Sequence, residues 1–234
     1  SIRPDAVFDH HPLRATTRSV PFQDLRIDYG ATATIVAEYL QIAGLEISRS
    51  LATGLAYAIR TETQDFRREF SPADRKLYMS LVPSIDHRAL GRIQTPRLSL
   101  GYFRNLHEAL AHLRTVGTLV VGRLGELDQP DIVPEIADLL LRMRGKTWSL
   151  CSGVYGQRIY LSIRTTNPRA DAGRLMRRLV GRRGKGGGHG MTAGGWIEIG
   201  DDDPATLQRQ LAKRLARALR KPPEGLAPVD LSRH

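Results

Sequence analysis

The sequence has one cysteine, Cys151, in 234 residues, so no disulfide can form within it, which fits a reducing compartment and a cytoplasmic location. It has no apolar run near the roughly 20 residues that a membrane span needs, and no membrane partner is expected. The opening Ser1-Ile2-Arg3-Pro4-Asp5 has neither an apolar core nor a small-residue cleavage site, so no signal peptide is expected there. Internal repeats, zinc-ligand spacings and a helix-turn-helix pattern are absent, which argues against a sequence-specific DNA binder. Acidic residues are scarce in one stretch: between Arg142 and Lys185 there are twelve basic residues and one acidic one, Asp171. The rest of the chain has 23 of each sign, so the whole net charge of +11 falls in that stretch. An anionic partner is expected there, a solvated basic face being the alternative.

With 41% hydrophobic and 25% charged residues, wholesale disorder is excluded, and the length suits one large domain or two small ones. Ala6-Val7-Phe8 predicts a buried strand delivering Asp9-His10-His11-Pro12 at its C-terminal end. Helical spacing follows over residues 30–43, closed by Gly44, then a small-residue apolar segment over 50–59. Ser71-Pro72-Ala73-Asp74 is a helix start, with a hydroxyl cap, proline at the first position and a carboxylate at the third. Residues 102–113 read as a connecting helix ended by Gly117. Strands are expected at 118–121, 148–154, 158–164 and 196–199, and helices at 131–143, 171–180 and around Leu207, Leu211 and Leu215.

Four motifs could carry chemistry. Asp9-His10-His11-Pro12 offers oxygen and imidazole ligands together, a mixture suited to Mn²⁺ or Zn²⁺. Thr61-Glu62-Thr63 presents a carboxylate between two hydroxyls that could orient it; a solvent loop is the alternative. In Ser162-Ile163-Arg164-Thr165 the period-two alternation of a strand puts Ser162 and Arg164 on one face, either a phosphate clamp or an ordinary polar sheet face. Gly186-Gly187-Gly188-His189, after Arg182, Arg183 and Lys185, could crowd backbone N–H groups around an anion or be a flexible loop. Trp148 and Trp196 read as packing residues rather than base-stacking platforms, and His87, His107 and His112 as surface histidines.

In this order the four motifs resemble the DHH/DHHA1 phosphoesterase family, which includes the RecJ exonucleases and the NrnA-type oligoribonucleases. The resemblance implies an α/β chain of two lobes. Residues 1–95 would be the C-terminal part of a DHH domain, a parallel sheet with helices. Residues 96–116 would be a helical linker, 117–220 a smaller DHHA1 substrate-binding domain and 221–234 a tail. It further implies a two-metal site, Mn²⁺ expected and Mg²⁺ or Co²⁺ possible, with the active site between the lobes. By motif, Asp9, His10, His11 and Glu62 would be catalytic, His10 and Glu62 as metal ligands, His11 facing the scissile phosphate and Asp9 supporting the histidines. Ser162, Arg164, Gly186, Gly187, Gly188 and His189 would hold the substrate.

Two departures accompany the resemblance. Glu62 stands where the family has a bridging aspartate. The family's two earlier metal motifs would lie upstream of Asp9, where this sequence leaves no room, so the chain is expected to be a fragment of a longer protein or a truncated relative. The expected substrates are short oligoribonucleotides, linear dinucleotides of the pApA type, or 3′-phosphoadenosine 5′-phosphate. The rival expectation is a catalytically incomplete module that binds nucleotide or RNA. A homodimer is possible.

Overall fold

A computed structural model describes residues 4–11, 13, 17–67 and 70–232; Pro12 and the side chain of His189 lie outside the described set. The chain is mixed α/β and divides into two units, Ser1–Arg97 and Leu98–His234. No helix among the described residues is long and apolar enough to cross a membrane.

In the first unit, β1 (Ala6–Asp9) pairs in parallel with β2 (Phe22–Leu25), Asp9 opposite Leu25. Helices α1 (Thr32–Ile42), α2 (Arg49–Glu62), α3 (Pro72–Leu81) and α4 (His87–Gln94) follow. Their core is built from Ala37, Ala52, Ala56, Ile59, Leu77 and Leu81. The small-residue segment after Ser48 is thus helical, and its alanines let α2 pack closely on α1 and α3. Contrary to the expectation of a buried strand, every β1 position is exposed or half-exposed, because this sheet has two strands among the described residues and so little cover on its faces.

Asp74 ties this unit together. It completes the capping box of α3 with Ser71 and accepts from the Gly30 backbone N–H at 2.8 Å and from the Thr34 hydroxyl at 2.5 Å. Burial alone would raise its pKa, but the hydrogen bonds from Thr34, Ser71 and Gly30 outweigh that and hold it below the ordinary carboxylate value.

The second unit is a seven-stranded mixed sheet. Helix α5 (Leu100–Ala111) leads to β3 (Arg114–Val116), β4 (Leu119–Glu126), α6 (Ile132–Leu141), β5 (Trp148–Tyr155) and β6 (Arg158–Thr165). Then come α7 (Ala172–Val180), β7 (Gly184–His189), β8 (Thr192–Glu198), α8 (Pro204–Ala218) and the short β9 (Ala227–Pro228). The strand order is β7-β8-β6-β5-β4-β3-β9, with β4 and β5 the parallel pair. One face packs on α7 and α8 through Val121, Leu150, Ile163, Met176 and Leu211. The other packs on α5 and α6 through Val120, Leu124, Cys151, Ala109 and Ile136.

Helix α5, read in the sequence as a linker, is packed into the second unit: Ala109 is buried in its core and Asn105 donates to the Leu124 and Glu126 carbonyls. Gly117 does not end this helix; β3 intervenes, and Gly117, at φ +52°, is the turn of the β3–β4 hairpin. Trp148 is a core residue, as its sequence context suggests.

Candidate functional site

Two constellations emerge, one in each unit. In the first, β1 ends at Asp9 and sets His10 and His11 on the following turn. Each residue offers one ligand atom, and the three atoms lie within 4.8 Å of one another. The His10 Nδ1 hydrogen-bonds the Thr32 hydroxyl at 2.8 Å, and Thr32 is the first residue of α1. The His11 Nδ1 meets the Asp9 carboxylate at 2.7 Å, and the His11 backbone N–H donates to the same oxygen at 3.1 Å. The two rings lie 4.1 Å apart. Burial, then the neighbouring His11 charge, push the His10 imidazole below its ordinary pKa, against the opposing pull of Glu62, Asp9 and Asp74. Hydrogen bonds from His11 outweigh burial and lower the Asp9 carboxyl.

The donor set fits a divalent ion. Metal–nitrogen and metal–oxygen bonds of about 2.0–2.2 Å place two ligand atoms within roughly 4.4 Å of each other, close to the spacing here. Each ring is fixed through Nδ1 by an oxygen, the arrangement that orients a histidine to ligate through Nε2. Glu62 is the exposed last residue of α2 and stands outside this group, near enough for its charge to act on His10. The flanking threonines do not orient it: Thr61 and Thr63 donate to the Tyr57 and Ile59 carbonyls. On a helix a threonine hydroxyl reaches the carbonyl four residues back.

In the second unit, Ser162 and Arg164 share a face of β6 as alternation predicts, and Arg164 Nη1 donates to Ser162 Oγ at 2.7 Å. The Arg164 Nε donates to Asp138 of α6 at 3.0 Å, so the guanidinium is held from two sides. Ser162 is 1% exposed. It therefore positions Arg164, and Arg164 presents the charge; Nη2 has no partner among the described residues.

The glycine run is β-structure, an edge hairpin of β7 and β8, rather than a loop. Its glycines sort by face. A Cβ on Gly186 would come 2.7 Å from Met176 of α7, and one on Gly188 would come 2.3 Å from the Thr192 carbonyl. Gly186 thus lets α7 approach the hairpin closely, and Gly188 lets β7 lie close against β8. Gly187 would meet nothing within 4 Å, and Gly194 a single oxygen at 3.9 Å. Gly187, Gly194 and Ser162 lie in register across three strands, an open floor beside Arg164. In the next row His189 pairs with Thr192, which pairs with Arg164.

The row on the other side is Lys185, Trp196 and Tyr160, a cation and two aromatics. Arg158 lies 4.0 Å over the Trp196 ring. Trp196 is half-buried and lies outside the core clusters, packed at the sheet surface against Arg158. The alternation from Ser162 back to Tyr160 and Arg158 was the available signal. Arg183, by contrast, is bound to Asp202 at 2.6 Å and to the Ile199 carbonyl at 2.6 Å, a structural role rather than an anion contact.

Residues 117–218 match the DHHA1 domain family. The chain is 33% identical over 217 residues to uncharacterized protein MJ1633 of Methanocaldococcus jannaschii, covering 92% of this chain and 44% of that one. The crystal structure of an exopolyphosphatase-related protein from Bacteroides fragilis superposes with a TM-score of 0.70 and 16% identity, over 92% of this chain and 65% of that one. At that identity the likeness speaks for the fold. The chain thus spans less than two thirds of each of these relatives. Residues 117–218 thus carry the DHHA1 match, and the chain shares its fold with the exopolyphosphatase-related protein.

Proposed function

We propose that the chain serves a metal-dependent phosphoesterase acting on short oligoribonucleotides, pApA-type dinucleotides or 3′-phosphoadenosine 5′-phosphate. The observation that carries this reading is the Asp9–His10–His11 group, with both rings oriented through Nδ1. His10 and His11 would hold the divalent ion, Mn²⁺ being expected, with Asp9 orienting His11. When bound, such an ion polarises a phosphoryl oxygen and lowers the pKa of a bound water. Asp9 fixes the tautomer of His11 by accepting from its Nδ1, and Thr32 fixes the ring of His10. Arg164, pre-oriented by Ser162 and Asp138, would take a substrate phosphate, with Gly187 and Gly194 leaving room for its approach. Trp196 and Tyr160 would offer their ring faces to a base, and Lys185 a second charge.

The test is release of mononucleotide or phosphate from these substrates by the full protein with Mn²⁺, Mg²⁺ or Co²⁺. Turnover that stops on chelation and returns with metal supports the proposal. Binding that weakens with salt, without turnover under any of the three ions, would instead identify a non-catalytic nucleotide-binding chain.

A further inference from the structure

A second cationic feature lies in the DHHA1 unit, on the sheet face opposite Ser162 and Arg164. On that face Leu119, Val121 and Leu150 are core residues against α8. Continuing the same alternation, the next positions are Arg123 and Ser152, and they pair directly across β4 and β5. The inward face thus changes abruptly from hydrocarbon to a guanidinium and a hydroxyl. A cavity of about 520 Å³ opens there, bounded by α8 and the segment after it.

Gln208 of α8 lines this cavity; it is 5% exposed and its side-chain Nε2 is buried without a hydrogen-bond partner. Arg114, Arg123, Arg209 and Lys213 also line the cavity, against one carboxylate, Glu224. Arg123 and Lys213 make no ion pair among the described residues, whereas Arg209 lies 3.9 Å from Asp203 and Glu224 lies 3.9 Å from Arg217. Val121, Ala212 and Leu226 supply apolar wall. The volume falls within the range of small-molecule sites, about 300–1,000 Å³, and exceeds what a lone phosphate would fill.

We propose that this cavity binds a phosphorylated small molecule of mononucleotide size, its phosphate toward Arg123 and Lys213 and its ring toward the apolar wall. The site is separate from the Arg164 face and independent of the phosphoesterase reading.

The test is calorimetric titration of the 234-residue chain with AMP, GMP, UMP and CMP, with EDTA present, and with adenosine as the phosphate-free probe. The Arg164→Gln variant should retain saturable binding of at least one mononucleotide, with the nucleoside at least tenfold weaker. Adding R123Q and K213Q to that variant should weaken binding at least tenfold. R209Q with K213Q changes only exposed residues of α8 and should do the same should the strand substitution impair folding. The proposal fails if no mononucleotide binds R164Q, or if binding survives both sets of substitutions.

Discussion

Arg164 and Ser162 are bound to each other at 2.7 Å, the hydroxyl accepting from the guanidinium. The pair is two residues apart on one strand, yet only one of them can meet a ligand, since Ser162 is 1% exposed. The two should therefore differ in what their loss does. R164Q should weaken nucleotide binding to the open face at least tenfold. Ser162→Ala should cost less in affinity, about three- to tenfold, because Asp138 still holds the guanidinium and a typical hydrogen bond contributes about 0.5–1.5 kcal/mol net. Titration with 3′-phosphoadenosine 5′-phosphate measures both. Arg164→Lys should resemble R164Q, because an ammonium cannot reproduce the planar fork that Ser162 and Asp138 hold.

The glycines of the β7–β8 hairpin separate packing from binding. Gly187→Ala should change stability by less than about 0.5 kcal/mol, the range of ordinary surface substitutions, while reducing ligand affinity, because its Cβ would stand on the open floor. Gly186→Ala should destabilise by about 1–3 kcal/mol, the usual cost of overpacking, since the methyl would meet Met176. Urea unfolding paired with titration distinguishes the two.

Asp74 makes the first unit sensitive to acid. Its folded pKa lies below the unfolded value, so its contribution to stability is fully present above about pH 4, the unfolded aspartate value. That contribution is lost as the pH falls through the folded pKa. Asp74→Asn should lower stability at neutral pH and flatten its decline between pH 5 and pH 2, as urea midpoints against pH would show. A variant that kept the wild-type slope would assign the acid limb to other groups.

Asp9 should act on metal through His11. Asp9→Ala should reduce Mn²⁺ affinity of the full protein about 10- to 100-fold, the usual effect of removing a group that orients a ligating histidine. Loss of the free Mn²⁺ spin-resonance signal on binding provides the measurement, and chelator should abolish the bound population in the wild type. Thr32→Val should give a smaller decrease in the same assay, because it removes the oxygen against which His10 is set.

Much of the chemistry was legible because it is local. A strand end carrying Asp-His-His places three ligand residues within a few ångströms, and two-residue alternation alone puts Ser162 and Arg164 on one face. The capping box at Ser71 and Asp74 is likewise a three-residue relationship, and the structure contains it. What Asp74 does beyond that cap, joining Gly30 and Thr34 and so setting the start of α1 against His10, spans some forty residues and has no local signature.

Tertiary structure decided which glycine packs and which stands open, because that depends on where α7 lies and not on the glycine string. It set Arg158 over the half-buried ring of Trp196 and opened the cavity around Arg123. Each of these rests on what another element places against a residue from far along the chain. Backbone periodicity fixes the direction in which a side chain leaves its strand or helix; only the packed fold supplies what it meets there.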